Sequence, residues 1–120
     1  MTIADAIAAY RERFPNDPYP DRRLREQLTA LDNMAQIELL AGNEVISYGE
    51  EDSDKALLLS GTAFEDIYIL YLTSMSFFDR QDWLNYSNAK IMFNARYLEA
   101  QNYYARKGPP PVGTKITNLW

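Results

Sequence analysis

A chain of 120 residues, 47% apolar, 24% charged and 13% aromatic, has the composition of one ordinary globular domain and is too rich in aromatics for disorder throughout. It holds no histidine and no cysteine, which removes the commonest acid–base side chain, thiolate nucleophiles, disulfides and thiolate metal sites, and fits a reducing cytoplasm. Its net charge of −5 speaks against general nucleic-acid binding, which relies on lysine and arginine displacing phosphate counterions.

The charge is unevenly spread. Residues 1 to 41 carry five basic and seven acidic side chains, residues 42 to 66 one and seven, and residues 67 to 120 six and three. This asymmetry is either plain solvated surface or the means by which an acidic face meets a basic face in a head-to-tail ring.

In chain order, MTIADAIAAYRER has no basic leader before an apolar run, so no signal peptide is expected. Thr2 and Asp5 have the spacing of a capping box, and Ile3, Ile7, Tyr10 and Phe14 follow at helical intervals, predicting a first helix over about Ile3 to Phe14. Pro15, Pro18 and Pro20 then make a stiff turn. Asp21 is the expected N-cap of a second helix striped by Leu24, Leu28, Leu31 and Ala35, which should stop at Ala41-Gly42. Between Gly42 and Gly61 the helical period lapses, and the alternation of Glu44-Val45-Ile46-Ser47-Tyr48 predicts a short strand or hairpin arm.

The stretch from Phe64 to Tyr104 holds 11 of the 16 aromatic residues. A third helix is expected from Phe64 to about Phe78, its seam formed by Phe64, Ile67, Tyr71, Met75 and Phe78; Tyr68, Ile69, Leu70 and Leu72 make it apolar nearly all round, as at the centre of a bundle. Its apolar run is too short to cross a bilayer. After Gln81-Asp82, the stripe Tyr86, Ala89, Phe93, Tyr97, Ala100 and Tyr104 predicts a fourth helix from Trp83 to about Arg106, which Lys107-Gly108-Pro109-Pro110-Pro111 ends. The expected fold is therefore all-α: a four-helix bundle of residues 1–107 with an irregular acidic loop between the second and third helices, and an extended, proline-led C-terminal tail over 108–120.

Motifs with chemistry are scarce. Glu50, Glu51, Asp52 and Asp54 lack the glycine and closing glutamate of a calcium loop, and adjacent exposed carboxylates lack the separation and unequal environments of catalytic pairs. Ser60-Gly61-Thr62 and Gly108-Pro109 lack the spacing and lysine of a phosphate loop. The expectation is a non-enzyme with no catalytic, cofactor or metal residues. The aromatic stripes read as core side chains whose buried tyrosine hydroxyls need partners. Tyr103 and Tyr104 are adjacent and point in different directions, so at least one should reach an edge or a partner. The tail is either a frayed terminus or a docking arm; the rigid Pro-Pro-Pro spacer before Ile116, Leu119 and Trp120 supports the arm.

Tyr19-Pro20-Asp21, Leu31-Asp32, the run Glu65-Asp66-Ile67-Tyr68-Ile69-Leu70-Tyr71-Leu72, and Asn85-Tyr86-Ser87-Asn88-Ala89-Lys90-Ile91-Met92-Phe93-Asn94 together resemble the small head-tail connector (adaptor) proteins of tailed bacteriophages and prophages. The resemblance covers about residues 5 to 107. It implies a helical bundle that self-associates as a ring below the portal protein in the virion neck, made in the bacterial host cytoplasm. The ring would contact downstream neck and tail proteins and continue the channel through which DNA passes without specific binding or a membrane. The family shares no catalytic site to transfer. In that setting Glu50, Glu51, Asp52 and Asp54 are expected to face the lumen and repel DNA, and the tail to dock on the next protein in the stack. The alternative is a small bacterial regulatory or scaffold protein that binds one partner through its helices.

Overall fold

Thr2 Oγ1 accepts the Asp5 N–H at 3.1 Å and the Asp5 carboxylate accepts the Thr2 N–H at 2.9 Å, closing a capping box. From this cap the computed structural model, which describes residues 1–107, starts α1 (Ile3–Arg13). α2 (Asp21–Glu38), α3 (Asp66–Asp79) and α4 (Trp83–Lys107) follow, with a short 3-10 turn at Glu50–Asp52. The chain is all-α.

α3 packs against each of the other three helices, the central place that its nearly all-round apolar surface predicts. Leu24, Leu28 and Leu31 of α2 meet Ile67, Tyr68 and Leu72 of α3 in one core, completed by Ile3, Ala6 and Tyr10 of α1 and by Leu57 and Leu59 of the connection. Each large side chain taken out of water contributes about 1.5–3 kcal/mol. The expected α3 seam holds only in part, because Met75 is half-buried and Phe78 is exposed. Phe78 instead turns out at the helix end and meets Trp83 and Tyr86 edge-on, at 5.4 and 5.2 Å between ring centroids, bracing the sharp turn into α4.

Two helix ends differ from expectation. Asp21 is the first residue of α2, and Pro20 occupies the N-cap without a side-chain bond, its φ of −75° and ψ of 150° giving the extended backbone an N-cap takes. At the other end the left-handed residue is Ala41 (φ 56°), not Gly42. Gly42 serves close approach instead: its N–H bonds the Gln36 carbonyl at 2.8 Å, and a Cβ there would lie 2.6 Å from Gln36 Cγ.

The expected strand at Glu44–Tyr48 does not form, and no strand exists among the described residues. Its alternation is real, with Val45 exposed and Tyr48 buried, but the partner is α2. Asn33 Oδ1 accepts the Ile46 N–H at 2.8 Å and Asn33 Nδ2 donates to the Ile46 carbonyl at 2.9 Å. Gln36 donates to the Glu44 carbonyl, and Thr29 accepts the Tyr48 N–H at 3.2 Å. Side-chain amides of a helix thus stand where a neighbouring strand's peptides would, which satisfies the backbone without a sheet.

Candidate functional site

The tyrosines explain how a polar core is tolerated. Among the described residues the hydroxyls of Tyr10, Tyr19, Tyr48, Tyr68 and Tyr97 each donate to a carboxylate on another part of the fold: Asp17, Asp79, Asp32, Asp32 and Glu38. The centre is Asp32, fully buried on α2. One of its oxygens accepts Tyr68 Oη at 2.6 Å; the other accepts Tyr48 Oη and the Leu58 N–H, the latter at 3.2 Å. Tyr68 Oη in turn accepts the Leu59 N–H at 2.9 Å. Burial pushes the Asp32 pKa up, and the hydroxyls and the amide oppose that without cancelling it. With every donor directed at a carboxylate in a closed core, the group fastens α2, α3 and the connection together and offers no open face to a substrate.

A second cluster closes the opposite end. Asp17 accepts Tyr10 Oη at 2.6 Å and the Tyr19 N–H at 3.0 Å, and pairs with Arg80 at 3.2 Å. Burial and the Asp17 bond push the Tyr10 pKa up to about 12. A surface depression here is lined by Arg13, Phe14, Asn16 and Arg80, but Asp17, its carboxylate, is only 4% exposed and already engaged. Nearby, Arg23 forks onto Asp79 at 3.0 and 3.3 Å, and Tyr19 donates to the same carboxylate. Partial burial would raise the Asp79 pKa, but Arg23 and Tyr19 together outweigh it and hold it below the usual carboxylate value. A depressed carboxylate stabilises the fold above its unfolded pKa of about 3.9 and loses that contribution as pH falls through the folded value. In urea unfolding, Asp79→Asn should therefore lower the midpoint at pH 6, and the gap to the native chain should narrow below about pH 4; a gap of constant size would count against this account.

The residues singled out from sequence are scattered. Asp52 accepts the Gly49 N–H at 2.8 Å and lies 3.9 Å from Lys55, so it shapes its own turn. Glu50 lies 4.0 Å from Arg25, and Glu51 and Asp54 are exposed. No group of three or more acidic side chains that could hold a metal ion exists among the described residues. Tyr103 and Tyr104 both pack tilted against Phe64, at 5.4 and 6.1 Å between ring centroids; Tyr103 is 42% exposed and Tyr104 is partly buried against the core. Arg96 clamps the same end, 3.0 Å from Asp66 and 4.7 Å over the Phe64 ring. Ile116, Leu119, Trp120 and the rest of the expected tail lie outside the described residues.

Sequence reasoning missed the outward side of α4. Trp83, Leu84, Ile91, Met92 and Leu98 are all exposed on it, while Phe93, Tyr97 and Ala100 face the core. The signal was a second period in the same helix, hidden behind the stronger aromatic stripe.

The fold is an all-α helical domain, and among the described residues no helix is long and apolar enough to cross a membrane. Comparison with family models, curated proteins and solved structures finds no match for the chain.

Proposed function

We propose that this chain is a structural adaptor of a tailed bacteriophage or prophage. In this reading it assembles as a ring beneath the portal protein and continues the DNA channel toward the neck and tail. The observation that carries it is the contrast between inward and outward faces: carboxylates and tyrosines are engaged in holding helices together, while large apolar side chains stand exposed along α4. Contiguous exposed apolar surface marks protein contacts. Asn85-Tyr86-Ser87-Asn88 and Met92-Phe93-Asn94, which carry much of the resemblance to connector proteins, fall on that helix.

The role is mechanical, with no reaction, cofactor or metal assigned to the chain. Many copies of a modest interface held in a ring bind with an avidity that one contact lacks. Glu50, Glu51 and Asp54, exposed on the loop before α3, would give the lumen a charge that lets DNA slide. Electron microscopy of the full chain mixed with the portal protein encoded beside it should show added ring density seated on the portal. Portals that stay bare at micromolar chain would overturn the reading in favour of a regulator or scaffold with another partner.

A further inference from the structure

α4 has two faces with different periods. The inner one, through Phe93, Tyr97 and Ala100, packs on the body. On the outer one Leu84, Ile91, Leu98 and Ala105 recur seven residues apart, and Asn88, Ala95 and Asn102 fall four residues after the first three of them; all seven are exposed. Leu84 is 74%, Ile91 65% and Leu98 55% exposed. Apolar residues scattered singly on a surface need no explanation. Leu84, Ile91 and Leu98 in strict seven-residue register, with the short side chains of Asn88, Ala95 and Asn102 between them, are different, because this register matches another helix of the same period.

We propose that the outer face of α4 is the contact through which two free copies of this chain pair, α4 against α4. Three features select a second copy over an unrelated partner. The asparagines need an amide or similar group opposite them once water is excluded, and a second α4 supplies one at the matching level. The face is nearly free of charge: Glu99 beside it is already paired with Arg96 at 3.0 Å, so two chains of net charge −5 can meet here without repulsion. The row of Leu84, Ile91 and Leu98 is flanked by the exposed Asn85 and Asn94, the apolar centre and polar rim of a protein–protein contact. Ala95 at the middle lets the helices approach closely. The inference rests on the assembly reading in treating this face as an interface, and goes beyond it in naming the occupant. A contact of one face with itself closes at two copies and does not propagate into a ring, so it describes the free chain before any ring is built.

The test uses the full chain. Light scattering at tens of micromolar should give about twice the 13.9 kDa chain mass. Ile91→Asp with Leu98→Asp should weaken pairing at least a hundredfold while leaving helical content unchanged and the melting temperature at that of the native chain diluted below its pairing range, since both positions are exposed. Because the chain has no cysteine, Ala95→Cys should form a disulfide-linked dimer on mild oxidation, and Ala30→Cys, exposed on α2, should not. A monomer at 100 µM overturns the proposal. So does pairing that ignores both aspartates, or pairing that appears only when residues 108–120 are deleted, which would assign the face to the chain's own tail. A chain that forms rings on the portal but, free in solution, never cross-links through Ala95→Cys overturns this inference and leaves the adaptor reading standing. A cross-linked dimer that never binds the portal does the reverse.

Discussion

Replacing Asp32 by alanine is expected to cost about 3–5 kcal/mol, a large part of the roughly 5–15 kcal/mol that holds a small domain together. The cost comes from what is left behind. Tyr48, Tyr68 and the Leu58 N–H all donate to this one carboxylate inside the core, and an alanine strands all three where water cannot replace the acceptor. Asparagine keeps the shape but turns one acceptor into a donor facing hydroxyl groups, so a loss of about 1–3 kcal/mol is expected. Tyr68→Phe combined with Asp32→Ala should be less damaging than the sum of the two, because the phenylalanine removes a donor that the alanine has already orphaned. The alanine variant should melt more than about 10 °C lower, and urea midpoints that place the loss within about 1 kcal/mol would sink this account. Acid acts on Asp32 in the opposite sense to Asp79. Its raised pKa means that the folded chain takes up the proton first, so falling pH favours the folded state at this position.

Phe93→Ala should destabilise by about 3–5 kcal/mol, the usual range for emptying a packed aromatic site. The ring is 2% exposed, lies between Tyr71 at 5.2 Å and Tyr97 at 5.4 Å, and has Lys90 Nζ 5.2 Å from its centroid. Because α4 packs chiefly on α3, the damage should be local before it is global. Hydrogen exchange in α4 should accelerate ahead of α1 and α2, since each helix opens with the contacts that hold it. Phe93→Leu, which keeps most of the volume, should lose only about 1 kcal/mol. Equal protection of α4 in the alanine variant and the parent would mean that other contacts, such as Tyr97 Oη on Glu38 at 2.7 Å, carry the helix.

The four helices were legible because their apolar positions recur at helical spacing and Thr2 and the prolines punctuate them. The requirement that buried tyrosines find partners was legible too, but which partners was not: Tyr68 and Asp32 are 36 residues apart and meet only because α2 packs on α3. Glu44–Tyr48 misled because a period of two records an extended backbone with one side turned inward, whatever supplies the hydrogen bonds. The outer row of α4 escaped notice because leucine, isoleucine and asparagine at heptad spacing are weaker marks than six aromatic or alanine positions on the opposite face. Nothing in composition separates an apolar side chain that faces the core from one that faces out.

The hold of α2 on the segment from Glu44 to Tyr48 also governs which changes of length the connection can absorb. Only alternate residues reach the amides of Asn33 and Gln36 and the hydroxyl of Thr29, as only alternate residues share one edge of an extended chain. Losing or gaining one residue before Tyr48 would present Val45 or Ser47 to α2 and turn the Tyr48 hydroxyl away from Asp32, whereas a change of two would restore the pattern. The connection, irregular as it looks, therefore counts in pairs: parity, rather than length, is what the helix beside it reads.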